Sequence, residues 1–357
     1  GQDYITTLHP KDYNVSVVLP KSTDQKEDLL DKVQQVAQDT DLKKPSYTTY
    51  LYQSAFITKL AGNDVTVPMQ RELESDTSIL TKSAGTITVI NRQDYEKMTG
   101  EKIDLADDET LVYGKNISLN KDKPLRVNGK DWKIKQLLSS NFTHGEIPNP
   151  NDVTMEQGLY MVVNDSKDVN LDVEHYYYIG VASETKGSKK FVEQVQLGLR
   201  DTLDQEQAQD GSFAMASDRY SAEKSYQELT GTLLFIGVFL SVIFLLGAVL
   251  VIYYKQISEG YEDRDGFIIL QKVGLDEKQT RSTIRKQILT VFFLPLIFAF
   301  LHVATVFHML RLIVALLGVT NLPLLIQTTL ATCGVFLLTY ILVFLLTSRS
   351  YRKIVAR

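Results

Sequence analysis

The chain has 357 residues, with 38 Lys and Arg against 43 Asp and Glu, a single cysteine and a mean hydropathy of −0.08. Such averages describe an ordinary soluble protein of two domains, but the distribution excludes one: most of the charge precedes Gly231 and long uncharged runs follow it. With Cys333 alone an intrachain disulfide is excluded too, so the roughly 220 residues before those runs must be held by their own core, which that length allows.

In chain order, Tyr13 to Leu19 alternates as a strand, Pro20 and the Ser22 to Asp24 stretch end it, and Lys26 to Gln38 carries Leu29, Leu30, Val33 and Val36 at helical spacing. Tyr47 to Ile57 is again strand-like. The same order returns near the end of the charged part: Leu159 to Val163 and Tyr176 to Ala182 read as strands, Lys189 to Leu203 as a helix, and Ser212 to Ala216 as a closing strand. Two split β-α-β units pair as one open-faced sandwich, with Thr58 to Gln157 inserted as a second lobe. Beyond Asp218, Tyr226, Leu229 and Leu233 share a helical line that Glu223, Lys224 and Glu228 avoid. That spacing predicts a stalk helix running into the first apolar run, although a short linker would also fit it.

The apolar runs are Leu233 to Tyr254, Ile288 to Phe307 and Thr328 to Leu346. The first, about 22 residues long, is enough for a ~30 Å hydrocarbon core at ~1.5 Å per residue. None has the polar stripe of a buried soluble helix, so three membrane spans are expected. The second contains Pro295, which is expected to bend it. The fold class is therefore an α+β extracellular domain of two split β-α-β units with an inserted lobe, followed by an all-α membrane region of three transmembrane helices. The expected division is domain 1–220, stalk helix 221–232, spans 233–254, 288–307 and 328–347, a cytoplasmic loop 255–287, an extracellular loop 308–327 and a cytoplasmic tail 348–357.

Orientation follows from the loops. Lys255, Arg264, Lys272, Lys278, Arg281, Arg285 and Lys286 lie between the first two spans, and Arg349, Arg352, Lys353 and Arg357 follow the third, while His308 to Gln327 holds only Arg311. The positive-inside bias makes the basic segments cytoplasmic and the first 230 residues extracellular, in a multi-pass protein of the cell membrane. A domain outside must have been carried across, yet Gly1 to Leu19 has no apolar or basic leader. Either a fragment whose upstream spans are missing or a cleaved signal peptide meets that need. The sequons at Asn14, Asn116, Asn141 and Asn164 are attributed to chance in so Ser/Thr-rich a domain.

Catalytic patterns are absent. There is no phosphate-cradling Gly-x4-Gly-Lys-Ser/Thr loop and no Gly-x-Ser-x-Gly elbow, and the five histidines make no metal-ligand spacing. No cofactor, metal or nucleic acid is expected, and the energy for any uphill movement has to come from another subunit.

The segment between the first two spans carries the most information. Gly260 and Gly266 read as breaks, Phe267 to Val273 as a short apolar-faced helix with Gly274 as its left-handed end, and Asp276 with Gln279 as the capping box of the next helix. Glu259, Glu262, Asp263 and Asp265 cluster beside Tyr261. The apolar turn either packs under the headgroups or docks a cytoplasmic protein; the expected coupling residues are Glu259, Gly260, Tyr261, Glu262, Asp263, Phe267 and Gly274. In the outer domain, about 26 Lys and Arg oppose about 37 Asp and Glu, a net of roughly −11 that would attract cations. Asp104, Asp107, Asp108 and Glu109 are the candidate attracting surface.

The stretch Tyr253-Tyr-Lys-Gln-Ile-Ser-Glu-Gly-Tyr-Glu-Asp263, with Gln271-Lys-Val-Gly274, Gln287-Ile-Leu-Thr-Val-Phe-Phe-Leu-Pro-Leu296 and Thr347-Ser-Arg-Ser-Tyr-Arg-Lys-Ile354, resembles the last three spans of FtsX-like ABC-transporter permeases of the bacitracin-resistance type from Gram-positive bacteria. The resemblance is close over the final third and weaker before it. It implies a ten-span protein with a large outer domain between spans seven and eight, of which this chain would be the later half. It also implies a non-catalytic subunit working with a cytoplasmic ABC ATPase, resistance to or sensing of wall-directed antimicrobial peptides, a sensor histidine kinase as a further partner, and a cationic peptide or lipid-linked wall precursor complex as ligand. Closure driven by ATP would pass mechanically to the outer domain. The spans carry no Asp, Glu, Lys or Arg, in keeping with the absence of a polar path. Two alternatives stay open: a cell-division-type permease regulating an extracellular wall hydrolase, and a membrane-tethered binding module. Copurification of an ATPase or a hydrolase separates them.

Overall fold

The computed structural model describes residues 2–19, 26–69, 71–72, 83–143, 145–150, 155–169, 171–207, 213–274, 277–316 and 321–355. The Ser22 to Asp24 stretch, His144, Ser212 and Asp276 lie outside the described residues. The chain divides into two compact units, Gly1–Gln227 and Glu228–Arg357.

In the first unit, α1 (Gln2–Leu8) leads into β1 (Tyr13–Leu19), α2 (Lys26–Asp39) and β2 (Ser46–Ile57). The short strands β3 (Lys59–Ala61) and β4 (Asp64–Thr66) follow, then β5 (Gly85–Asn91), α3 (Arg92–Thr99), β6 (Glu109–Lys115), β7 (Leu125–Val127) and β8 (Lys130–Leu137). The unit closes with β9 (Gly158–Val163), a 3-10 turn (Ser166–Val169), β10 (His175–Ala182), α4 (Lys189–Gln207) and β11 (Phe213–Asp218).

The two β-α-β units meet as expected. β11, β1, β10 and β2 lie side by side, every pair antiparallel. One face of the four strands carries α2 and α4. Leu29, Val33, Val36 and Ala37 recur at helical spacing on α2, and with Phe191, Val195, Leu199 and Leu203 of α4 they bury the inward residues Tyr13, Val15, Val17, Tyr177, Ile179 and Val181. Glu27 and Asp28 favour the positive start of α2.

The insertion does more than form a lobe. β5 pairs antiparallel with β2, β9 runs parallel to β5, and β6 adds antiparallel to β9, so the sheet continues as β2-β5-β9-β6-β8-β7-β4-β3. It still has a core of its own around the fully buried Trp132, with Ile87, Val89, Val112, Leu125, Val127, Leu159 and Met161. Gly85 marks a close approach: a β-carbon there would stand 2.7 Å from the Gln157 carbonyl oxygen. Asn14, one of the sequon residues, is 2% exposed and holds the Tyr178 hydroxyl at 2.7 Å. It is structural.

The second unit continues α5 (Arg219–Lys272) and adds α6 (Glu277–Leu316) and α7 (Leu322–Val355). Among the described residues, three stretches are long and apolar enough to cross a membrane: Arg219–Glu262, Phe293–Ala315 and Leu322–Leu346. Side chains such as Phe244, 71% exposed, would be costly in water and cost nothing in lipid. Pro295 sits inside α6, which is helical on both sides of it.

Two local expectations are corrected. Gly260 and Gly266 do not break the helix, and Phe267 to Val273 is no separate element: α5 is continuous to Lys272. A helix-interior glycine costs about 1 kcal/mol relative to alanine, and helix-favouring neighbours offset it; stopping a helix takes a proline or a completed C-terminal cap. The segment from His308 is likewise not all loop, because α6 runs on to Leu316; nothing in His-Met-Leu-Arg-Leu-Ile-Val-Ala-Leu interrupts helical hydrogen bonding.

Candidate functional site

The root of α5 is a polar site tied into the first unit by several hydrogen bonds. Asp218, the last residue of β11, is 5% exposed, and its carboxylate accepts the Ser221 backbone N–H at 2.7 Å. It thereby caps the helix on its first residues. Arg219 turns back instead. Its Nε donates to the His9 carbonyl at 2.8 Å, its Nη2 to the Pro10 carbonyl, and its backbone N–H to the Asp12 carbonyl at 2.9 Å. A guanidinium is suited to this because its donors are fixed in one plane and can hold two acceptors at once. His9 Nδ1 lies 3.0 Å from the Ser217 hydroxyl, and the rings of Tyr4 and Tyr226 stand 5.5 Å apart. Burial holds the His9 imidazole below its ordinary value; Asp218 opposes that shift and Arg219 adds to it. Burial pushes Asp12 up, but the Lys186 ammonium, the Ser183 N–H and Arg219 outweigh it and hold the carboxyl below its usual range. Sequence reasoning missed Arg219, His9 and Asp12. The only legible signal was an Asp preceding a helical run.

The expected coupling residues fall on the end of α5. Tyr261 and Glu262 are exposed, as are Ile268, Ile269 and Val273 farther on. The side chains of Glu259, Asp263 and Phe267 lie outside the described residues. Gly260 is a buried residue of the helix interior. Gly274, just past the helix, has φ 105°, the positive region expected of its terminal position.

In the acidic stretch, Asp104, Asp107 and Asp108 are exposed, whereas Glu109 begins β6 and is committed inside the domain. Lys135 reaches its carboxylate at 3.0 Å and Lys133 at 3.3 Å, and the Ala106 N–H donates at 3.3 Å. The hydrogen bond from Lys135, then that from Ala106, holds Glu109 below the usual carboxylate range. Asp107 accepts the Asn164 amide at 2.8 Å. The tertiary structure thus leaves Asp104, Asp107 and Asp108 as the outward charges of the four.

A cleft of about 370 Å³ lies at the far end of the sheet, where Asn63, Asp64, Lys123, Arg126 and Asp131 are among its walls. Between α6 and α7, an apolar cleft of about 540 Å³ is lined by Phe300, Phe307, Leu330, Cys333 and Leu337 among others. Among the described residues, no group of His, Cys, Asp or Glu is placed to hold a metal.

The class of protein this chain is similar to is the permease of ABC transporters, although no family model matches it. In particular, it is 30% identical over 126 residues to the ABC transporter permease protein YxdM of Bacillus subtilis strain 168, covering 35% of this chain and 19% of that one. It is 25% identical over 185 residues to the bacitracin export permease protein BceB of the same strain, covering 52% and 26%. To the BceB of Halalkalibacterium halodurans it is 24% identical over 219 residues, covering 57% and 32%. The chain therefore spans between 19% and 32% of the length of these curated relatives. Its relatives and its three apolar helices are those of a membrane protein.

Proposed function

We propose that this chain is the membrane-embedded and extracellular part of a peptide-type ABC permease, non-catalytic itself, that passes the work of a cytoplasmic ATPase to its outer domain. The observation that carries this reading is α5, a single 54-residue helix that contains an apolar run, an acidic segment and a first turn hydrogen-bonded into the sheet domain. The basic residues before the second apolar run and after the third favour a cytoplasmic C-terminus and an outer first unit. Relatives described as bacitracin export permeases support a wall-active peptide, or its complex with a lipid-linked precursor, as the ligand sensed or displaced. A sensor kinase is a fitting further partner.

The ATPase would dock on residues 259–274, where exposed Glu262 and Tyr261 precede exposed Ile268, Ile269 and Val273. Replacing Glu262 and Asp263 with Lys should reduce ATPase copurification at least tenfold while leaving membrane insertion intact. Copurification and peptide resistance at the wild-type level would refute the assignment. Capture of a wall hydrolase by the outer domain, with no effect of the peptide, would favour the cell-division-type reading.

A further inference from the structure

We infer that Arg219 is the positioning residue through which α5 moves the β-α-β sandwich, because its acceptors belong to a hydrogen-bonded knot joining the α1–β1, α2–β2 and β10–α4 connections. This rests on the functional reading above and deepens it by naming the latch.

The knot is built outward from the segment Arg219 holds. Asp12, whose carbonyl takes the Arg219 backbone N–H, uses its carboxylate to hold Lys186 at 2.6 Å and the Ser183 N–H at 3.0 Å. Ser183 in turn donates its hydroxyl to the Lys43 carbonyl at 2.7 Å, and the Glu184 N–H donates to that same carbonyl at 3.1 Å. The Lys43 N–H returns the contact to the Thr185 hydroxyl at 3.1 Å. The next residue in the chain from Asp12, the fully buried Tyr13, donates its hydroxyl to the Thr185 carbonyl at 2.8 Å and accepts the Ser188 N–H at 3.1 Å. So the α1–β1, α2–β2 and β10–α4 connections and the start of α5 are tied together within a few bonds. Gly187 completes it: φ is +63°, and a β-carbon there would lie 2.6 Å from the Tyr220 ring, so the turn can rest against the helix only without a side chain.

Physically, a helix joined to a domain by one covalent bond can swivel, and motion along it is lost at the joint. Arg219 removes the swivel by gripping two carbonyls upstream of β1 while Asp218 caps the helix from β11, so α5 is fixed to two neighbouring strands at once. Lysine keeps the charge but cannot span both carbonyls with one rigid fork.

The test uses the full permease copurified with its ATPase in lipid nanodiscs, followed by hydrogen exchange with and without ATP and vanadate. In the wild type, trapping ATP should change the exchange of the Lys43, Ser183 and Glu184 amides, each of which donates within the knot. In Arg219→Ala that change should fall at least fivefold, with Arg219→Lys intermediate, while basal ATPase rate, ATPase copurification and exchange in β2, β5 and β9 stay at wild-type levels. A merely structural role would alter the strand amides instead. An undiminished ATP-dependent change in Arg219→Ala overturns the inference and leaves the permease reading standing. No ATP-dependent change in the wild type, or no ATPase recovered, overturns both.

Discussion

Burial lowers the imidazoles of both His9 and His175 below their ordinary value, with different charges around each. His9 sits beside the Arg219 guanidinium and the Asp218 carboxylate, which oppose each other, so desolvation decides. His175, 5% exposed at the start of β10, has a buried Nδ1 with no hydrogen-bond partner among the described residues, and Lys26 and Lys167 reinforce the effect of burial against Asp165. A group whose folded value is depressed takes up a proton more readily when unfolded. Its contribution is complete above the ordinary imidazole value of about 6.5 and is lost as pH falls through the folded value, at a limit of about 1.4 kcal/mol per pH unit for each proton. Asp12 and Glu109, also depressed, add a second loss that begins only below about pH 4. The thermal midpoint of the first unit should therefore decline in two steps on acidification, and a His9→Gln, His175→Gln double variant should abolish the upper step alone. An unaltered upper step in that variant would show that other groups titrate there.

Among the elements, β5 and β9 show what tertiary contact demands of a strand. They are parallel neighbours far apart in sequence, Thr86 facing Gly158 and Ile87 facing Leu159, and the insertion is hydrogen-bonded to the sandwich through β5. Gly85→Ala would push a methyl group into the Gln157 backbone. The expected cost is about 1–3 kcal/mol, typical of overpacking at a site that cannot shift, and a fall of roughly 2–4 °C in the unfolding midpoint for each kcal/mol at this domain size. An unchanged midpoint in thermal unfolding would mean that the two strands can separate. β11 shows a different demand. It is an edge strand of the sheet, and the Gln196 amide of α4 engages two of its backbone groups, donating to the Ala214 carbonyl at 2.5 Å and accepting the Ala216 N–H at 2.8 Å. Strand addition at that edge is thereby discouraged.

For the molecule as a whole, charge and hydropathy are segregated along the chain. The roughly −11 of residues 1–230 would draw a cationic peptide over a Debye length of ~10 Å at ~0.1 M salt, shrinking to ~3 Å at ~1 M. If recruitment operates, the association rate of such a peptide with the full permease should fall at least tenfold across that range. It should fall at low salt when Asp104, Asp107 and Asp108 are changed together to Asn, because Glu109 is already neutralised by Lys133 and Lys135. A rate indifferent to salt and to the triple variant would leave solubility as the role of these acids.

The sequence by itself determined the repeated β-α-β order, the three apolar runs and the positive φ at Gly274, because hydrophobic period, run length and end-of-helix chemistry are local properties. It pointed to Lys26 to Gln38 and Lys189 to Leu203 as helices, with the observed starts and with ends short of the observed Asp39 and Gln207. It misjudged Gly260 and Gly266, since glycine weakens a helix without ending it. Only the tertiary structure decided that the insertion extends the sheet rather than standing apart, that Glu109 is spent on two lysines, and that Arg219 reaches back to His9 and Pro10. Each of those is a pairing between residues distant in sequence, and such pairings are set by which surfaces the folded sheet brings together, not by any pattern along the chain.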